Sequence, residues 1–398
     1  MNTRNTLIAL PLLFWGALSI PAMADEFPRS ATFSTLVTTD LNIEGLTGDD
    51  RGNLYTPTRP AGGDCAVFRF DSNIATPLPV TVGRIPAPCA PLGLAFDHAG
   101  RLYVTEPNSG KIFSFLPDAE TPPLATEFAS GVPGANGVAF DRDDNLWVSD
   151  GTTGQGRVWK ITPAGVVTEE FRIQPMANDA ILDAANVGGV GRDVRTLPLG
   201  MITFTPAPPT APRTATNTAG SQPLVANGLA FNKDGDLFVS DTARGALWKV
   251  KLDRHGNVQS RMNCDTTFTL NTLCLDNIFV AHPLLEGADG IALDRVGNIW
   301  VDANERNAVI VVTNNGKVIE VFRNAPDTLT GLRNTGPLEF NTSPVLSDRR
   351  FCTVNLDAVR RDNFPNDAGE IKPTGPQRGK ISCMDQQLFI GGEPLPVR

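Results

Sequence analysis

Five stretches of this 398-residue chain open in the same way: Glu44-Gly45-Leu46, Leu92-Gly93-Leu94, Asn136-Gly137-Val138, Asn227-Gly228-Leu229 and Asp289-Gly290-Ile291. The residue before the glycine carries a side-chain oxygen in four of them: Glu44, Asn136, Asn227 and Asp289. Taken singly, Asn-Gly and Asp-Gly are ordinary turn pairs. In phase, one per repeat, they put two carboxylates and two amides at equivalent points of a repeated structure. Such a set suits a hard divalent cation, Ca2+ first, which takes six to eight oxygen ligands and fills the remainder with water. Without a cation, two carboxylates held close repel, and one of them keeps its proton.

The elements that carry these residues are short strands. The clearest copy runs from Asn227 to Asp241: an apolar alternating strand, an Asp234-Gly235 turn, and a second strand ending in Ser240-Asp241. An Asp-Gly turn between alternating runs is a hairpin signal. Third strands follow, such as 246–250 and 308–312, and a fourth such as 318–322. The leading glycines stand at 45, 93, 137, 228 and 290, so the repeats are spaced by 48, 44, 91 and 62 residues. A four-stranded propeller blade needs roughly 40–50 residues. A sixth, divergent repeat starts near Asn341, with a second strand at 349–354. The expected fold is therefore all-β, a six-bladed β-propeller of four-stranded antiparallel blades spanning 25–398. A seventh blade requires the long gap to fold. In a propeller the first strand of each blade lines the central channel, so the residues before the glycines meet at one mouth. The strand at Thr32–Thr39 is expected to close the ring, and Gln387–Ile390 is a second candidate for that closure. Insertions are expected at about 166–225, Pro/Thr-rich and either a lid or a surface excursion, and at 254–287. Trp147, Trp159, Trp248 and Trp300 recur in strands and read as inter-blade core.

The net charge of −9 argues against a nucleic-acid partner. Arg4, the apolar run Leu7–Ile20 and Ala22-Met23-Ala24 have the three regions of a signal peptide, 1–24. The mature chain is then periplasmic or secreted, with no membrane anchor, and its oligomeric state is not encoded in any visible pattern. Six cysteines suit an oxidising compartment. Cys65 with Cys89, Cys264 with Cys274, and Cys352 with Cys383 are the expected pairs, among 15 possible connectivities. No pair has zinc-site spacing, and there are only three histidines. His282, seven residues before Asp289, is a secondary candidate acid or base, with a surface imidazole the plainer reading. No nucleophile elbow, phosphate loop or dinucleotide fingerprint is present.

From about Ile43 to Val354 the chain resembles the gluconolactonase family that includes senescence marker protein and luciferin-regenerating enzyme. The carriers are Ile43-Glu44-Gly45, Ala135-Asn136-Gly137, Ala226-Asn227-Gly228-Leu229-Ala230 and Ala288-Asp289-Gly290-Ile291-Ala292. The resemblance implies a six-bladed propeller with one divalent metal held by Glu44, Asn227 and Asp289, and Asn136 in contact with substrate. Diisopropyl fluorophosphatase is similar in layout. The implied activity is metal-dependent, lactonase-type hydrolysis of a small ester, with Asp289 as the candidate base. The chain departs from sugar-lactone members at Val132-Pro133-Gly134-Ala135, which is apolar where they carry a basic residue, and this speaks against an aldonolactone. Two alternatives stay open: a non-catalytic NHL-like binding propeller with a structural calcium, and phosphotriesterase-like activity.

Overall fold

The hairpins of the first five repeats are locked at their turns by the side chain that closes the first strand. Asp141 Oδ1 accepts from the backbone N–H of Asp143 at 3.0 Å and of Asn145 at 2.9 Å. Its other oxygen accepts from Trp147 Nε1 at 2.9 Å. Asp97 with Tyr103 and Asp294 with Trp300 repeat the arrangement. In the fourth repeat the aromatic is Phe238, which has no donor, and the acid is replaced by Asn232, which still caps the turn. The recurring Asp and Trp of the sequence are therefore one device: a charged turn cap that also satisfies a buried indole N–H.

The computed structural model describes residues 27–28, 30–153, 155–173, 226–264, 269–324, 336–347, 349–356, 379–389 and 391–392. These form six antiparallel sheets, the six blades of a propeller. Blade three runs Ala135–Phe140, Leu146–Asp150, Arg157–Ile161, Val167–Arg172 from the channel outward. Blades two, four and five are built alike. Blade one differs in its inner strand, which is broken into Asn42–Ile43 and Thr47–Gly48 at Glu44. Blade six takes Asn341–Ser347, Arg350–Asn355 and Gly379–Met384 from the C-terminal part and its outer strand, Phe33–Thr39, from the N-terminal part. This is the ring closure expected of the early strand. The second candidate is corrected: Gln387–Phe389 forms no strand, and Ile390 lies outside the described residues. The expected insertion 254–287 contains the fourth strand of blade four, Ile278–Ala281. Of the expected insertion 166–225, Val167–Arg172 is the outer strand of blade three, and 174–225 lies outside the described residues.

The core lies between blades. Trp147 of blade three packs with Leu229, Phe231 and Trp248 of blade four, and Trp300 of blade five with Phe351 of blade six. All three pairs of cysteines form disulfides: Cys65–Cys89, Cys264–Cys274 and Cys352–Cys383. The inner strands also line an apolar cavity of about 120 Å³, with Leu94, Val138, Leu229, Ile291 and Phe231 among its walls.

Candidate functional site

The glycine of each phrase marks a seam between blades. A Cβ on Gly45, Gly93, Gly137, Gly228 or Gly290 would overlap a backbone carbonyl oxygen of the next blade: that of Leu92, Asn136, Asn227, Asp289 or Thr342 respectively. Only glycine allows this approach. At the same place the ladder is irregular. Register shifts lie between Ala135 and Val138, Ala226 and Leu229, and Ala288 and Ile291. Such bulges bend a strand and re-aim a side chain. Asn136, Asn227 and Asp289 thus sit on bulges, each pressed against a neighbouring blade.

Hydroxyl groups then pin the backbone of all four residues from the preceding blade. Thr342 Oγ1 donates to the Glu44 carbonyl at 2.7 Å, and Thr105 Oγ1 to that of Asn136 at 3.0 Å. Ser149 and Ser240 donate to the carbonyls of Asn227 and Asp289. This explains half of the Ser-Asp ending of the phrase. The Asp caps the next turn: Asp150 accepts from Thr153 N at 2.9 Å and Asp241 from Arg244 N at 3.0 Å.

The four side chains converge. Asn136 Nδ2 donates to Asn227 Oδ1 at 3.0 Å. Asn227 hydrogen-bonds Asp289, and the charge of Glu44 acts on Asp289. Asn136, Asn227 and Asp289 are buried, while Glu44 keeps 15% of its side chain exposed. Burial first, then the Glu44 charge, pushes the Asp289 carboxyl well above the usual carboxylate range; Asn304, donating to Asp289 Oδ2 at 2.6 Å, works the other way. The remaining position, Leu92, is apolar and buried.

A further set of residues had no marker in any single motif, yet it follows a spacing. The residue 15 positions after each site residue touches it. Arg59 pairs with Glu44. Asn227 Nδ2 donates to Thr242 Oγ1 at 3.1 Å, and Asn304 binds Asp289. Gly151 stands where a Cβ would overlap the Asn136 side chain. The offset arises because the second strand returns antiparallel to the level of the bulge. His282 serves the backbone instead. Its Nδ1 accepts from Leu284 N at 3.1 Å and caps a turn, and burial, then Arg306, lowers its pKa.

The donor chemistry fits a hard cation. Two carboxylates and two amides supply oxygen ligands, and the Glu44 charge, second to burial in raising the Asp289 pKa, is a repulsion that a cation would relieve. Among the described residues, no three His, Cys, Asp or Glu side chains come together. Any cation here would therefore depend on the amide oxygens.

Residues 210–330 match the SMP-30/Gluconolactonase/LRE-like region. Over this stretch the chain is similar to that family. The matched SMP-30/gluconolactonase/LRE-like segment carries Asn227 and Asp289; Glu44 and Asn136 lie before it. Solved structures share the fold at low identity. A calcium-binding protein, regucalcin, from Agrobacterium tumefaciens is 17% identical over 94% of this chain and 95% of its own, with a TM-score of 0.53. Luciferin-regenerating enzyme is 11% identical over 92% and 99%, with a TM-score of 0.56. A gluconolactonase from Xanthomonas campestris is 16% identical over 89% of both chains, with a TM-score of 0.50. At these identities the likeness extends to the propeller and no further. No protein of curated function matches the chain in sequence.

Proposed function

We propose that this protein is an exported, metal-dependent hydrolase that opens lactone-type esters at the mouth of the propeller channel. The reading is supported by one observation above others: Glu44, Asn136, Asn227 and Asp289, from four different blades, meet in a single hydrogen-bonded and charge-coupled group. The matched family segment and the gluconolactonase and calcium-binding protein among the structural neighbours favour the ester and the cation. Three disulfides suit an oxidising compartment. No helix among the described residues is long and apolar enough to cross a membrane.

Glu44, Asn227 and Asp289 would hold the cation, which we assign as calcium on donor type. When bound, it supplies Lewis-acid polarisation of the ester carbonyl. Asp289 is the candidate base. Burial first, then the Glu44 charge, raises its pKa, the direction a base requires, and Asn304 donates to its Oδ2 at 2.6 Å. Asn136, backed onto Gly151, holds a side-chain amide at the mouth, from which its N–H₂ can donate to substrate oxygen.

The test is a calorimetric calcium titration of chelator-stripped mature protein, followed by a lactone and phosphotriester screen with calcium present. One-site binding, lost in Asp289→Ala, with lactone turnover lost in Asp289→Asn, is the expected result. A folded wild type that binds no calcium, or a folded and active Asp289→Asn, overturns the reading.

A further inference from the structure

We propose that Arg59 is the resident counter-ion of the candidate cation site: it competes with the divalent cation for Glu44 and so sets the calcium concentration at which the site fills. This rests on the cation reading above. The position 15 residues after the site residue is neutral in three blades, as Gly151, Thr242 and Asn304. In blade one it is Arg59, whose Nη2 is paired with Glu44 Oε2. A guanidinium and a divalent cation want the same carboxylate oxygens, and a fixed positive charge nearby weakens the binding of another.

The guanidinium is held in place. Arg59 lies opposite Asn42 at the end of the strand Asn53–Arg59, and its Nε donates to the Pro91 carbonyl at 2.9 Å. Pro91 belongs to the loop that enters blade two. That loop is tied down by the Cys65–Cys89 disulfide and by Asp64, which accepts from Ala87 N at 3.0 Å. With Nε and Nη2 engaged, the pairing with Glu44 is pre-formed, and a cation must share or displace it. Of the two carboxylates at the mouth, Glu44 is the more exposed, so the competition is at the solvent side, where an incoming cation arrives. A site weakened in this way stays empty at low calcium and loads at the roughly 0.1–1 mM typical of extracellular modules.

The experiment titrates calcium calorimetrically into chelator-stripped wild type, Arg59→Met, Arg59→Gln and Arg59→Lys, at low and at high sodium chloride. The neutral variants are expected to bind about tenfold more tightly than wild type at low salt, with the gain shrinking at high salt as the charge is screened. Arg59→Lys keeps the charge and is expected to stay near wild type. Two independent neutral variants guard against a folding defect in one. If wild type binds one calcium and both folded neutral variants bind equally or more weakly, Arg59 does not compete, and the cation site stands without it. If no protein in the series binds calcium, the cation reading falls and this inference falls with it.

Discussion

The hydroxyl of Ser240 in blade four donates to the backbone carbonyl of Asp289 in blade five, and the same hydroxyl oxygen accepts from the N–H of Gly228 at 2.7 Å. One buried side chain thus fastens its own bulge and the neighbour's site residue together. Ser240→Ala is expected to cost about 1–3 kcal/mol, because it strands a buried carbonyl and a buried N–H. Ser149 holds Asn227 in the same way, and Ser149→Ala should cost a similar amount. Urea denaturation of the two variants checks this. A change within experimental error of wild type in both would mean that the seam relies on glycine packing alone.

The seam glycines should tolerate nothing larger. Gly228→Ala would drive a methyl group into the Asp289 carbonyl and the Gly290 backbone, neither of which can move without opening the ring. A loss of about 1–3 kcal/mol or more is expected, as for other overpacked interiors. Gly235→Ala is the contrast. It sits at φ +86° in an open turn, so its penalty is backbone strain with no clash. Thermal melts combined with calcium titration separate the two causes: Gly228→Ala should also disturb calcium binding, while Gly235→Ala should not.

Blade five carries Asp302 where blades three and four carry Ser149 and Ser240. Asp302 is fully buried, accepts from Asn341 Nδ2 at 2.8 Å and from the Thr353 hydroxyl, and its pKa is pushed up to about 7 by that burial. The folded-state value lies above the unfolded one. Stability from this group is therefore complete below about pH 4 and is lost as pH rises through about 7. Moving a carboxyl from 3.8 to about 7 corresponds to something on the order of 4 kcal/mol, an upper bound. Asp302→Asn should consequently gain on wild type between about pH 4 and 7, measured by urea denaturation in chelator. A pH-independent difference between the two proteins would contradict the assignment.

Ring closure depends on Phe33–Thr39. Phe33 is buried against blades five and six and Val37 against blades six and one, and Phe33 stacks edge-on against Phe351 at 5.8 Å. Removing residues through Thr39 should leave blade six with three strands and give an aggregating, dye-binding product. The Cys352–Cys383 bond joins two other strands of the same blade, with a sequence separation of 31. Replacing both cysteines by alanine should cost about 3–4 kcal/mol, somewhat more than for Cys264–Cys274 with its separation of 10. Melting temperatures of the two double variants decide the order.

The repeat is legible in the chain alone. A polar residue, a glycine, an apolar alternation, a turn and an aromatic strand are local features, and local features survive in single-sequence reading. From these came the blades, the antiparallel strand order, the early strand as ring closure, and the choice of Glu44, Asn136, Asn227 and Asp289 as the proposed site. What lies across the blades needed the folded molecule. The leading glycines look like turn residues in sequence, yet they are required by carbonyl oxygens of the next blade, which a one-dimensional phrase does not contain. Ser149 and Ser240 look like strand ends, yet they act on Asn227 and Asp289, 78 and 49 residues away. Arg59, Thr242 and Asn304 reach the site because an antiparallel partner strand returns to the bulge, so their spacing of 15 gains meaning only once the hairpin is folded. The fourth strand of blade four was hidden for a related reason: a long excursion separates Ile278–Ala281 from its partner Ala246–Val250, and only pairing restores their proximity.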